Sequence, residues 1–212
     1  MIAPEGWPFV IVPLCTGLVG WLAGWPVIAV LLMLLGAFAL FFFRNPARVC
    51  RSETGIACSP ADGKVIKVCR APAEMERRGL PQQVSVFMSI FDVHVNRAAA
   101  DGELTEYSYN PGRKFSAFKE KASLENEQNL SVWKGPHGQI ALKQIAGLVA
   151  RRIVFDYSPG DTVSRGDRIG LIRYGSRVDV FLPDNATILV SEGDRVRAGE
   201  SAIAELNGKS SP

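Results

Sequence analysis

Hydrophobic and polar positions divide this chain sharply. From Trp7 through Phe43 no charged residue occurs, and Arg44, Arg48 and Arg51 follow at once. A helix crossing a bilayer takes roughly 20 apolar residues, so the stretch is too long for one upright helix and short for two full spans. Gly24-Trp25-Pro26 divides it, because proline lacks an amide donor and turns the preceding residue away from helix. The pattern predicts two apolar helices, about 8–23 and 26–43, forming a hairpin that either spans the membrane twice or dips into one leaflet. The arginines put the polar remainder on the cytoplasmic face. A cleaved secretory signal is disfavoured, since no basic segment precedes the run and the run is too long. A buried helical pair in a soluble core is the other alternative.

Beyond the hairpin the period changes. Residues 44–54 read as a juxtamembrane linker and 55–212 as a β domain. A turn at Ser59-Pro60-Ala61-Asp62-Gly63 leads into a strand at 64–68. In 83–91, Val84, Val86, Met88 and Ile90 alternate with polar or small residues, as a half-buried strand requires. Further strands are expected at 102–109, 130–133, 139–145 and 152–157, with a turn at Asn110-Pro111-Gly112. Residues 74–80 read as a loop or helical turn and 146–151 as a bend or short helix. The stretch 113–129, rich in Lys, Glu, Ser and Asn around Phe115 and Phe118, predicts a mobile surface segment.

Residues 161–206 read as one unit written twice. The first half runs Gly160-Asp161-Thr162-Val163, Gly166, Ile169 and Ile172, and the second, offset by 33 residues, Gly193-Asp194-Arg195-Val196, Gly199 and Ile203. Short strands joined by Gly-Asp turns, duplicated, predict a quasi-symmetric flattened barrel with a hairpin at its middle. Biotinyl and lipoyl carrier domains are similar and carry a modified lysine at that hairpin. Here no lysine occurs between Lys143 and Lys209, and the place holds Tyr174-Gly175-Ser176-Arg177. The expected fold is therefore mainly β, a barrel-sandwich of lipoyl or biotinyl type with few helices, whose hairpin presents a serine instead of an amine.

Charge narrows the partners. All 24 basic residues and all but one of the 21 acidic ones follow Phe43, an excess of about +4 in the polar part. That suits an anionic bilayer surface better than a nucleic-acid groove, and no basic helix or basic-aromatic stripe occurs. The four cysteines, Cys15, Cys50, Cys58 and Cys69, form no Cys-x-x-Cys pair, so a disulfide framework or zinc cluster is not expected and reduced cysteines are. With His94 and His137 alone available, a histidine-rich metal site is not expected either.

Three residues can do chemistry together: Ser176 in the Gly-Ser hairpin, His94 in Phe91-Asp92-Val93-His94, and Asp62 in Pro60-Ala61-Asp62-Gly63. A hydroxyl is a weak nucleophile until an imidazole takes its proton and a carboxylate orients that imidazole. Taken singly, each has a plain alternative: Asp62 as turn former, His94 as core histidine, Gly175-Ser176 as hairpin tip.

In its order of motifs the chain resembles the phosphatidylserine decarboxylases, in particular their short, membrane-anchored prokaryotic form. The resemblance runs from Phe42-Phe43-Arg44-Asn45-Pro46 through Asp62-Gly63-Lys64-Val65, Phe91-Asp92-Val93-His94-Val95-Asn96-Arg97 and Glu125-Asn126-Glu127-Gln128-Asn129 to Tyr174-Gly175-Ser176. It implies a proenzyme in which Ser176 attacks the Gly175 carbonyl, leaving a large subunit, 1–175, and a small one, 176–212, whose first residue becomes a pyruvoyl group. That ketone would form a Schiff base with the amine of phosphatidylserine and draw electrons from the departing carboxylate, giving phosphatidylethanolamine without pyridoxal phosphate or metal. By the same resemblance His94 is base for Ser176 during cleavage and then proton donor or carboxylate partner in decarboxylation, oriented or polarised by Asp62. Larger family members often carry a second histidine three residues on, where this chain has Arg97. Arg97 would hold the lipid phosphate or carboxylate, or else a structural ion pair. Phe115 and Phe118 would enter the lipid surface, or else pack in the core. His137 is expected in a turn without chemistry. The family also admits a homodimer. A noncatalytic membrane-tethered adaptor or lipoyl-like carrier is the competing reading.

Overall fold

The computed structural model describes residues 1–50, 54–112, 126–147, 152–173 and 176–207, which fall into two compact units, Met1–Ala47 and Arg48–Pro212. In the first, α1 (Trp7–Leu22) and α2 (Pro26–Phe42) pack as the expected hairpin, each with a proline in its first turn, where the missing amide costs nothing. Their interface is made of small residues. A Cβ added to Gly36 would come 2.7 Å from Leu14, and one on Gly17 3.1 Å from the Ala29 carbonyl, so the two backbones approach closely only because those side chains are absent. The outward faces, with Val12, Leu22, Val27 and Leu31 among them, are exposed and apolar. Pro4–Leu22 is long and apolar enough to cross a membrane; α2, at 17 residues, is shorter.

The second unit is built from β1 (Ile56–Cys58), β2 (Gly63–Arg70), β3 (Gln82–Met88), β4 (Val95–Arg97), β5 (Gly102–Asn110), β6 (Gln128–Gly135), β7 (Gly138–Ala146) and β8 (Ile153–Phe155). It continues with β9 (Thr162–Val163), β10 (Arg168–Ile172), β11 (Ser176–Leu182), β12 (Ala186–Ile188), β13 (Arg195–Val196) and β14 (Ala202–Leu206). A short helix, α3 (Ala73–Arg77), lies between β2 and β3. The observed architecture is thus mainly antiparallel β with few helices.

Among the described residues an eight-stranded sheet runs β13-β2-β3-β11-β7-β6-β5-β9, and two three-stranded sheets run β1-β14-β12 and β4-β10-β8. This order is a palindrome. Reading from either end pairs β13 with β9, β2 with β5, β3 with β6 and β11 with β7, and exchanges the two small sheets. The hydrogen bonds repeat accordingly. The amides of Gly160 and Gly193 donate to Leu104 and Val65, both at 2.8 Å, while the amides of Leu104 and Val65 donate back to Asp161 and Asp194, also at 2.8 Å. The Arg165 amide donates to Asp101 at 2.8 Å as the Ala198 amide does to Asp62 at 2.7 Å. The duplication therefore covers more chain than 161–206: β8 belongs to it as the counterpart of β12, and 56–65 and 95–104 form its second pair of halves.

One face of the large sheet, carrying Val84, Val86, Met88, Leu142, Val178 and Val180, closes over the main core. The opposite face packs Phe181, Ala141 and Leu130 under Met75 of α3 and Leu80. Two expectations are corrected. Residues 126–129, assigned to a mobile surface segment, are buried, and 128–129 open β6. Cys50 and Cys58, expected to be reduced, are joined in a disulfide, their Cα atoms 6.9 Å apart. The linker passes β1 there, a tertiary neighbourhood that cysteine spacing does not encode. Phe115, Phe118, Tyr174 and Gly175 lie outside the described residues.

Candidate active site

Ser176 is the first residue of β11, paired through its Cα with Met88 of β3 and Ala146 of β7. Strand alternation sends Ser176, Val178 and Val180 to the core side, with Arg177 and Asp179 on the other. On that other side Arg177 and Asp179 form a buried ion pair, Nε to Oδ1 2.9 Å, with a hydrogen bond from Nη2 to Oδ2 at 3.0 Å. The serine was expected to be displayed by a hairpin; it is instead fully enclosed, because the strand it heads lies at the centre of the large sheet. Its Oγ is buried and has no hydrogen-bond partner among the described residues. An orphaned buried hydroxyl costs about 1–3 kcal/mol, and such groups are few enough in folded proteins that a functional reason is sought.

His94 is likewise fully buried, just before β4. Its Nδ1 lies 3.0 Å from the Asp92 carbonyl oxygen. A carbonyl only accepts, so the proton is on Nδ1, and in the neutral ring the lone pair is on Nε2. The backbone also fixes this residue. The Ile172 amide donates to the His94 carbonyl at 3.2 Å, tying the histidine to the end of β10, four positions ahead of Ser176. The approach to His94 is a tight turn in which the Asp92 amide donates to the Ser89 carbonyl at 3.0 Å and the Asp92 carboxylate accepts from the Ser89 amide at 2.8 Å.

Asp62 closes the turn after β1. Its Oδ1 accepts from the Ala198 amide, and its Oδ2 from Arg48 at 2.9 Å; the same guanidinium reaches Glu200 at 3.0 Å. Since Asp101 makes the matching amide contact in the other half, that bond is architectural, and the Arg48 contact is what sets Asp62 apart. Arg97 sits nearby. Its amide donates to the Pro60 carbonyl at 2.9 Å and its Nη1 to the Gly166 carbonyl at 2.8 Å. Burial, with Arg48 beside it, pulls the Arg97 guanidinium below its ordinary value, and Asp62 works in the opposite direction.

What joins these loci is a buried chain of amides. Asn129 Nδ2 donates to Gln144 Oε1 at 2.9 Å, and Gln144 Nε2 to Asn96 Oδ1 at 2.7 Å. Asn96 Nδ2 then faces the Pro60 carbonyl at 3.4 Å and the Met88 sulfur at 3.6 Å. Asn96 thus touches the turn of Asp62 and the strand partner of Ser176, and stands two residues from His94. All three amide residues are fully buried. The sequence reading assigned them no role, although Gln144 alternates with Ile140 and Leu142 on a core face, where a polar residue is a signal. Replacing Gln144 by leucine leaves Asn96 and Asn129 each short of a partner, at about 1–3 kcal/mol apiece. The expected loss, about 2–6 kcal/mol, is measurable by urea denaturation of the uncut Ser176→Ala chain; a loss under about 1 kcal/mol would show the amide chain to be dispensable.

Among the described residues no group of three His, Cys, Asp or Glu side chains is placed to hold a metal. His137 occupies the turn between β6 and β7, as expected.

The family model for phosphatidylserine decarboxylase matches residues 35–204, which include Asp62, His94 and Ser176. Among curated proteins the chain is similar to a phosphatidylserine decarboxylase proenzyme of Granulibacter bethesdensis. Identity is 44% over 208 residues, covering 96% of this chain and 84% of the relative.

Proposed function

The chain belongs to the phosphatidylserine decarboxylase family, and from that membership we propose that it is made as a precursor which cuts itself before Ser176 and then converts phosphatidylserine to phosphatidylethanolamine. It is an enzyme of phospholipid metabolism, a carboxy-lyase with a zymogen form. The observation that carries the proposal is Ser176 itself: a hydroxyl enclosed at a strand head, without a partner among the described residues, on a segment whose preceding strand is bonded to His94.

In the first reaction Ser176 Oγ attacks the carbonyl carbon of Gly175 and gives its proton to His94 Nε2. The peptide C–N bond breaks as the nitrogen is protonated, and an ester replaces it. Loss of the Ser176 Cα proton and rupture of the Cβ–O bond release Gly175 as a carboxylate. The dehydrated residue takes up water and loses ammonia, leaving a pyruvoyl cap. An orphaned, enclosed Oγ fits that conversion, since nothing in the described core has to give up a bond to it. When in place, the cap supplies an electron sink for cleavage of the bond between the substrate Cα and its carboxylate. His94 Nε2 then carries the proton that replaces carbon dioxide, while the Asp92 carbonyl holds the ring tautomer. Asp62, with Arg48, fixes the turn on which Asn96 rests and brings negative charge beside it. Arg97 for the headgroup and Phe115 and Phe118 for the acyl region complete the proposed substrate contacts.

The domain proposal is a membrane-anchoring hairpin at 1–43, a linker at 44–54 and the catalytic β domain at 55–212, held on the cytoplasmic face and open to pairing of two copies. The charge-free helices followed by Arg44 and Arg48 support it. Carrier function is not favoured, because no lysine occurs between Lys143 and Lys209.

Intact mass of the purified protein under denaturing conditions tests the proposal. Two pieces divided at 175/176 are expected, the smaller without a free amino terminus and reactive toward hydroxylamine. An uncut chain from an active preparation would overturn it.

A further inference from the structure

One turn of the fold is built four times with the same clamp. In 89–92, 158–161, 164–167 and 191–194 a serine opens the turn and an aspartate closes it. The aspartate amide donates to the serine carbonyl at 3.0, 3.0, 3.0 and 3.2 Å in that order. Its carboxylate accepts from the serine amide at 2.8, 2.7, 2.8 and 2.8 Å. Three of the turns hold what such a bend favours at its tip, Pro159-Gly160, Arg165-Gly166 and Glu192-Gly193, with each glycine at a positive φ of 90–102°. The fourth holds Ile90-Phe91, exposed by 43% and 66%.

Two large apolar side chains on a rigid tip answer no need of the turn, which the other three copies close without them. They stand two and three residues ahead of Asp92 and His94 respectively, the nearest exposed positions along the chain to the buried imidazole. Cations flank them. Arg195, exposed, lies 3.4 Å from Asp92 at the foot of the turn, and its strand partner Lys64 is exposed as well. An apolar wedge rimmed by cations is complementary to the headgroup region of an anionic bilayer.

We propose that the 89–92 turn is a membrane wedge: Ile90 and Phe91 enter the acyl boundary, Lys64 and Arg195 meet anionic headgroups, and the site beside His94 is thereby set against its lipid. The inference rests on the decarboxylase reading, which requires a membrane lipid to reach a buried imidazole, and it assigns that contact to a segment other than the one holding Phe115 and Phe118.

The test uses the full chain in phosphatidylserine–phosphatidylcholine vesicles. Ile90→Ser/Phe91→Gly restores the Ser-x-Gly-Asp pattern of the other turns. It should cut itself to completion and turn over monomeric short-chain phosphatidylserine within about twofold of the parent, yet lose at least about tenfold on vesicles through apparent KM. Equal loss on both substrates, or none on vesicles, overturns the wedge. A second measurement is independent of turnover. Phe91→Trp, above the background of the four native tryptophans, should show added emission quenching by phosphatidylcholine brominated on its acyl chains, and absence of added quenching also overturns it. A parent chain inactive on both substrates would sink the decarboxylase reading while quenching still decides the docking.

Discussion

Replacing Ser176 by alanine is expected to give a single uncut chain of 23.1 kDa with no decarboxylase activity. The effect is total, because Oγ is at once the attacking atom of the proposed cut and the group whose loss generates the cap. Folding should survive. Since Oγ has no partner among the described residues, its removal breaks no bond there and relieves a buried polar atom. Thermal unfolding of Ser176→Ala should therefore match or exceed that of another uncut precursor, by up to about 1 kcal/mol. Denaturing mass spectrometry and a melting curve check both halves. Cutting at 175/176 in the variant, or activity from an uncut chain, would contradict the assignment.

His94→Gln is expected to stall the precursor, slowing the cut by about 10²–10⁴-fold, the span that a positioned base contributes. Glutamine keeps a donor for the Asp92 carbonyl but offers no basic nitrogen, so the loss reports proton transfer more than packing. The measurement is the time course of the small fragment after synthesis. A variant that cuts at the parental rate but does not decarboxylate would confine the histidine to the second reaction. One that does both would remove it from the chemistry altogether.

How much of this was legible in the residues depends on the kind of signal. The helices were, because 37 uncharged positions broken by Gly24-Trp25-Pro26 leave little choice. Most strands were as well, since alternation is a local property. The repeat was seen only where its turns share letters. Its other half is written as Ala61-Asp62-Gly63 and Ala100-Asp101-Gly102, too short a match to notice without knowing that both aspartates cap the same turn. Residues 126–129 were misjudged because Asn129 satisfies itself on Gln144, fifteen positions away, and hydropathy prices an amide as if it faced water. The enclosure of Ser176 is tertiary in the same sense: nothing local says that β11 lies between β3 and β7.

The palindromic sheet also decides what a severed bond can do to such a molecule. Of the strands after the proposed break, β11 lies between β3 and β7, β13 pairs with β2 and β14 pairs with β1, while β12 is held through β14. The two pieces of the proposed cut are joined by these pairings like the fingers of clasped hands, so scission there is expected to release neither. It does erase the covalent instruction by which they found each other. On the proposed cut, the β unit has to be woven first and snipped afterwards, and the finished enzyme keeps a shape that its separated parts no longer encode as one chain.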